Sequence, residues 1–139
     1  MKFRKMMGVT AAFLCAALAL SGCGSTDETA YRIGIVQQDE HSSLDAATQG
    51  FEDKLMELLG EENVTFDYQN AQGEQANSTT IATKFVSDGC DLILANGTTA
   101  LQSAAAATAD IPIVGTSVTD YIAAGAVNSN EKPGTNVTG

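Results

Sequence analysis

The chain reads as an α/β protein built on a parallel sheet with helices on both faces. Short apolar runs of strand length alternate with longer stretches whose apolar residues recur at helical spacing. The segments between them are short and polar, and 139 residues of which 44% are hydrophobic are enough for one core and too many apolar groups for a disordered acidic chain.

Residues 31–36 form a mostly apolar run suited to a buried strand. Leu44, Ala47, Phe51, Leu55, Leu58 and Leu59 then recur with helical spacing until Gly60 stops them. Val64, Phe66 and Tyr68 alternate as in a second strand. Residues 76–88 carry Ile81, Ala82, Phe85 and Val86 on one helical stripe that ends at Gly89. A third strand at 92–95, an alanine-rich helix at about 100–108 and a short fourth strand at 113–115 complete the alternation. Ligand crevices in open parallel sheets lie outside the carboxyl ends of the strands. The loops at 37–43, 70–75, 96–99 and 116–120 are therefore the ones to read for function, and all are polar.

Lys2, Arg4 and Lys5 precede an uncharged run at 6–20 and then small residues, the pattern of a secretory signal over residues 1–22. That run of 15 residues is shorter than the roughly 20 needed to span a bilayer. Leu20, Ser21, Gly22 and Cys23 resemble the lipobox of bacterial lipoproteins. The resemblance implies cleavage before Cys23, a diacylglyceryl group on its thiol and a fatty acyl chain such as palmitate on the new amine. Each buried methylene contributes about 0.8 kcal/mol, so two or more chains would hold the protein durably on the extracytoplasmic face of the bacterial cell membrane. Residues 23–30 then read as a lipid-anchored tether and 31–139 as the folded domain. Cys15 leaves with the signal, which makes Cys90 the one remaining thiol and rules out a disulfide framework. Placed between a helix end and an apolar strand, Cys90 is expected to pack as a small hydrophobe.

The signal also removes three of the seven basic residues, leaving four against 17 Asp and Glu, a net of −13. Such a chain repels a phosphate backbone, and no nucleic-acid partner is expected. A small zwitterionic solute needs donors for its carboxylate and an acceptor for its ammonium, and helix amino ends supply donors without a formal charge. Ser42 and Ser43 open the first helix, Thr98 and Thr99 open the third, and Asp120 follows the fourth strand. Each has a purely structural alternative: Ser42 with Asp45 and Thr99 with Gln102 fit the capping-box spacing, and Asp120 suits a turn cap.

The sequence holds no Gly-rich phosphate loop, no G-x-S-x-G elbow and no H-E-x-x-H, and His41 is its single histidine. These absences argue against an enzyme and a His-based metal cluster, and no cofactor is expected. Asp39, Glu40 and His41 in a row fit a solvated loop after a strand.

Several motifs in one order carry a family resemblance. They are residues 33–37 (Ile-Gly-Ile-Val-Gln), Glu40-His41 with Leu44-Asp45-Ala46-Ala47, Gly50-Phe51, Asn70-Ala71-Gln72-Gly73, Asp91-Leu92-Ile93, Ile111-Pro112-Ile113, Val118-Thr119-Asp120 with Ala123-Ala124-Gly125, and Pro133-Gly134 with residues 136–139. Over 31–139 the chain resembles the tryptophan/tyrosine-type substrate-binding lipoproteins of ABC importers. The resemblance implies a periplasmic-binding-protein-like (type I) fold of two hinged lobes that close over an aromatic amino acid or related solute and deliver it to an ABC permease. It makes this chain the amino-terminal lobe, truncated before the second. It also places Gln37, His41, Thr98, Thr119 and Asp120 at the cleft with ligand-facing roles. Ser42, Thr99 and Tyr121 stand where the family commonly has proline, and Tyr121 brings aromatic stacking potential to the ligand loop. A lipid-tethered sensory or partner-binding module with no closed cleft is the alternative reading, and an enzyme of flavodoxin-like shape the weakest.

Overall fold

The computed structural model describes residues 30–139. The signal segment, Cys15, Cys23 and the tether up to residue 29 lie outside the described residues. Strands β1 (Tyr31–Gln37), β2 (Val64–Asn70), β3 (Leu92–Asn96), β4 (Ile113–Thr116) and β5 (Val137–Thr138) form one sheet in the order β2-β1-β3-β4-β5. Every adjacent pair is parallel. Helices α1 (Ser42–Leu59), α2 (Gln75–Ser87) and α3 (Thr98–Ala107) make the crossovers, and a single 3-10 turn at Glu61–Asn63 leads into β2.

The strand order reverses direction at β1: α1 carries the chain to one side, α2 and α3 to the other. Parallel crossovers are right-handed, so opposite directions put the helices on opposite faces. The core divides accordingly. On one face Ile33, Ile35, Val64 and Leu94 pack under Phe51, Leu55 and Met56 of α1. On the other, Val36, Ile93, Ala95 and Ile113 pack under Ala82 and Phe85 of α2 and Ala100, Leu101 and Ala104 of α3. Alanine at the α3 positions lets that helix lie close to the sheet and to α2. Gly34 has a similar role, since a Cβ there would stand 2.6 Å from the Phe85 ring. Cys90 is buried in the second cluster as a small hydrophobe, as its flanking sequence implies.

The first four strands each run past the apolar stretch that marks them in the sequence, ending on Gln37, Asn70, Asn96 and Thr116. The parallel ladder continues through Gln37↔Asn70, Gln37↔Asn96 and Asn96↔Thr116, because backbone pairing does not depend on an apolar side chain. α3 starts two residues before its alanine run, at Thr98. β5 has only two residues, too few to show any periodicity, and was not anticipated. No helix among the described residues is long and apolar enough to cross a membrane.

Candidate functional site

The strand order reverses between β1 and β3, and doubly wound sheets of this order bind ligands outside the carboxyl ends of the strands at that point. Beneath it lies a buried polar network. Gln37 is wholly buried; its Nε2 donates to the Asp45 Oδ1 (2.7 Å) and to the Asp39 carbonyl (2.9 Å), while its Oε1 accepts from Thr48 Oγ1 at 2.8 Å. Beside it in the ladder, buried Asn96 donates through Nδ2 to the Leu44 carbonyl (2.7 Å) and to Thr48 Oγ1 (2.9 Å). These bonds fix the first two turns of α1 against β1 and β3. Asn96 Oδ1 is buried and receives no hydrogen bond from the described residues.

Above this layer stand the other candidates. His41 is exposed and is the N-cap of α1: its extended backbone (φ −155°, ψ 135°) breaks the helix, and its Nδ1 accepts from the Ser43 amide at 3.2 Å and lies 2.8 Å from Ser43 Oγ. With Nδ1 as acceptor, a neutral ring carries its proton on Nε2. The capping-box expectation for Ser42 is thus corrected, since Ser42 is already helical. The same expectation for Thr99 is corrected for a different reason. The chain turns from β3 into α3 through Gly97 at φ +115°, which L side chains rarely adopt, so the cap position has no side chain to offer. Gln38 supplies the acceptor from β1's loop instead, its Oε1 taking the Thr99 amide at 2.9 Å. Gln38 was not singled out in the sequence, because its partner is 61 residues away.

Thr98 and Thr119 join the loops after the neighbouring strands β3 and β4, with the Thr119 amide donating to Thr98 Oγ1 at 3.4 Å. Asp120 is exposed, and its Oδ1 accepts from the Ile122 and Ala123 amides, both at 2.9 Å. It therefore caps its own turn, as the structural alternative holds, and Oδ2 accepts no bond among the described residues. Among the described residues the two non-glycine residues with positive φ, Gln72 (55°) and Ser117 (56°), both lie in strand-end loops, where strained backbone tends to gather at working sites.

Tyr121 packs beside β4 and β5. Its hydroxyl donates to the Gly115 carbonyl at 2.9 Å, and its ring lies where Cβ atoms of Gly115 and Gly139 would be. Burial pushes its phenol pKa up. The ring packs on the β4–β5 side of the core, because glycine at 115 leaves room for it, and it borders a hollow of about 260 Å³ with Val127, Pro133, Thr138 and Gly139. A different aromatic, Tyr68 at the end of β2, is 43% exposed and borders an open groove of about 520 Å³ with Asp39, Glu40, Asp45, Asn70 and Gln72. A neighbouring hollow joins Tyr68 to Gln37, Asp45, Thr48 and Glu52. Burial, with Asp53 beside it, raises the Glu52 pKa.

A parallel sheet with polar loops at its switch point is a frame that can carry a solute site, and comparison with known proteins gives its family. Residues 32–139 match the family model described as ABC transporter substrate binding protein, and the chain belongs to that family. It is 41% identical, over 99% of its length, to a protein named tyrosine-binding protein from Clostridioides difficile (strain R20291). The chain spans 44% of that relative. The ligand-free, open structure of a substrate-binding protein with adhesive properties from Clostridium difficile superposes with a TM-score of 0.74 at 48% identity, covering 77% of this chain and 37% of that one. An ABC domain in complex with L-Trp from Streptococcus pneumonia gives 0.76 at 37% identity, covering 80% and 38%.

Proposed function

We propose that residues 31–139 are the first lobe of an extracytoplasmic solute-binding component of an ABC importer, taking an aromatic amino acid or a related solute for delivery to an ABC permease. The observation that carries this reading is that His41, Thr98, Thr119 and Asp120 lie in the segments that follow the carboxyl ends of β1, β3 and β4, with His41 capping α1 and Thr98 opening α3. Family membership and the names of the relatives, one tyrosine-binding and one holding L-Trp, support the solute class.

In this reading the Thr98 amide and hydroxyl, at the start of α3, receive the solute carboxylate, since helix amino ends favour anions. Asp120 Oδ2 and the net negative charge of the lobe suit an ammonium. His41 Nε2–H and the Thr119 hydroxyl are further polar contacts. Gln37, with its amide occupied inside the lobe, serves the solute by holding α1 in place. No bond is made or broken, so the reading is binding without turnover. Cys23, through the lipobox, carries the lipid that keeps the protein at the membrane surface.

Equilibrium dialysis of the chain against each of the protein amino acids tests it. Retention of L-tyrosine or L-tryptophan above L-leucine and L-glutamate, reduced by Thr98→Val, is expected. Equal retention of all solutes would overturn the solute reading in favour of a partner-binding module.

A further inference from the structure

Gln38 belongs to neither hydrophobic cluster, yet its hydrogen bonds tie the loop after β1 to the segments after β2 and β3 and to α3. Its amide donates to the Asn96 carbonyl at 2.8 Å, its carbonyl accepts from Gly73 at 2.8 Å, and its Oε1 accepts from Thr99 at 2.9 Å. The first two bonds join the loop after β1 to those after β3 and β2. The third reaches the first turn of α3, where the opening amides have no partner within the helix. Gly97 lets this happen, since a Cβ there would stand 2.6 Å from the Gln38 Cβ and 2.7 Å from its Oε1. From α3 the connection continues, as Thr98 Oγ1 holds the Thr119 amide at 3.4 Å and the Gly97 amide donates to the Thr116 carbonyl at 3.0 Å.

We propose that Gln38 is the positioning residue of the solute site: by fixing the first turn of α3 it sets Thr98, and through Thr98 the Thr119–Asp120 loop, before solute arrives. The inference rests on the solute reading above for its consequence, and on these hydrogen bonds for its mechanism. A preformed wall binds more tightly because less loop ordering has to accompany binding. An acceptor at this position is needed, and a carboxylate would serve as well as an amide because it also complements the helix amino end.

The test uses the full chain labelled with nitrogen-15, as wild type, Gln38→Leu, Gln38→Met and Gln38→Glu. Amide exchange at Thr99, the Thr119 amide resonance, the melting temperature and a titration with L-tryptophan are measured on each. Both apolar variants should speed Thr99 exchange on the order of ten-fold, the loss of about one hydrogen bond. They should also move the Thr119 resonance and weaken L-tryptophan several-fold with the melting temperature nearly kept, and Gln38→Glu should restore all three. Unchanged Thr99 exchange and Thr119 resonance in the apolar variants overturn the role of Gln38 whatever the wild type binds. So does a melting temperature that collapses in both and is not rescued by Glu. Changes at Thr99 and Thr119 in a wild type that ignores L-tryptophan support the positioning role and overturn the solute reading instead.

Discussion

Asp120 uses one carboxylate oxygen to hold its turn, so the cap and the charge can be separated by substitution. Asp120→Asn keeps the Oδ1 acceptor and should leave the melting temperature almost unchanged. If the charge meets a solute ammonium, losing it removes about 1.5 to 3 kcal/mol of a charge-assisted bond, roughly ten- to a hundred-fold in affinity. Asp120→Ala should lose the cap as well, at about 0.5 to 2 kcal/mol of stability. A lowered melting temperature with unchanged affinity in the Asn variant would refute the solute role. Cys90 gives an independent residue-scale expectation. Burial, followed by the charge of Asp67, pushes its thiol pKa up, so the thiolate that reacts with iodoacetamide is scarce in the folded chain. Alkylation of Cys90 should track unfolding by denaturant, and rapid modification of the native chain would contradict its place in the core. Such residue roles were legible only where neighbours in sequence define them. Cys90 between a helix end and a strand was; Gln38, whose partner lies on another element, and Tyr121, which fills the space above Gly115, were not.

The elements owe their packing to a few close approaches. A methyl group at Gly34 would press into the Phe85 ring, so Gly34→Ala should destabilise by about 1 to 3 kcal/mol. Phe85→Ala removes the ring and leaves a cavity, at roughly 3 to 5 kcal/mol. Urea denaturation separates them: the double variant should be less destabilised than the sum, because the ring that clashes is gone. Additive losses would contradict the contact. Outside this core, α2 is tied to β2 by Lys84, 2.5 Å from Asp67 and 2.6 Å from Asp88. The bond from Lys84, then that from Gln69, holds the Asp67 pKa below the ordinary carboxylate range. A carboxylate depressed on folding adds stability above its unfolded pKa and loses it as pH falls through the folded one. Lys84→Met should therefore cost a little stability near neutral pH and nothing once Asp67 is protonated; a deficit that persists in acid would contradict the pairing. At this scale the sequence was most readable, because strands and helices are periodic. What it concealed were strand ends, where Gln37, Asn70, Asn96 and Thr116 look like loop residues while their backbone still pairs, and β5, whose ladder exists only through its neighbour β4.

For the whole molecule, α/β alternation limited the fold to a few parallel topologies, and the order β2-β1-β3-β4-β5 selects the crevice. No local signal encodes that order, since it depends on which strand each crossover returns to. Cys23, as the proposed anchor, gives a test at this scale. Cys23→Ala should abolish incorporation of labelled palmitate and leave an unprocessed precursor, and equal labelling of the variant would rule the anchor out. The central claim is that a solute meets one wall of a cleft at the carboxyl ends of β1, β3 and β4. Closed pockets bury most of a ligand, so a single wall should bind with a dissociation constant on the order of millimolar. An amide chemical-shift map of the wild-type chain titrated with L-tryptophan measures both place and strength. Weak binding with shifts gathered at His41, Thr98, Thr99, Thr119 and Asp120 is the predicted result; shifts centred on the opposite end of the sheet, around Glu61–Asn63 and Asp91, or submicromolar binding by this lobe, would contradict it.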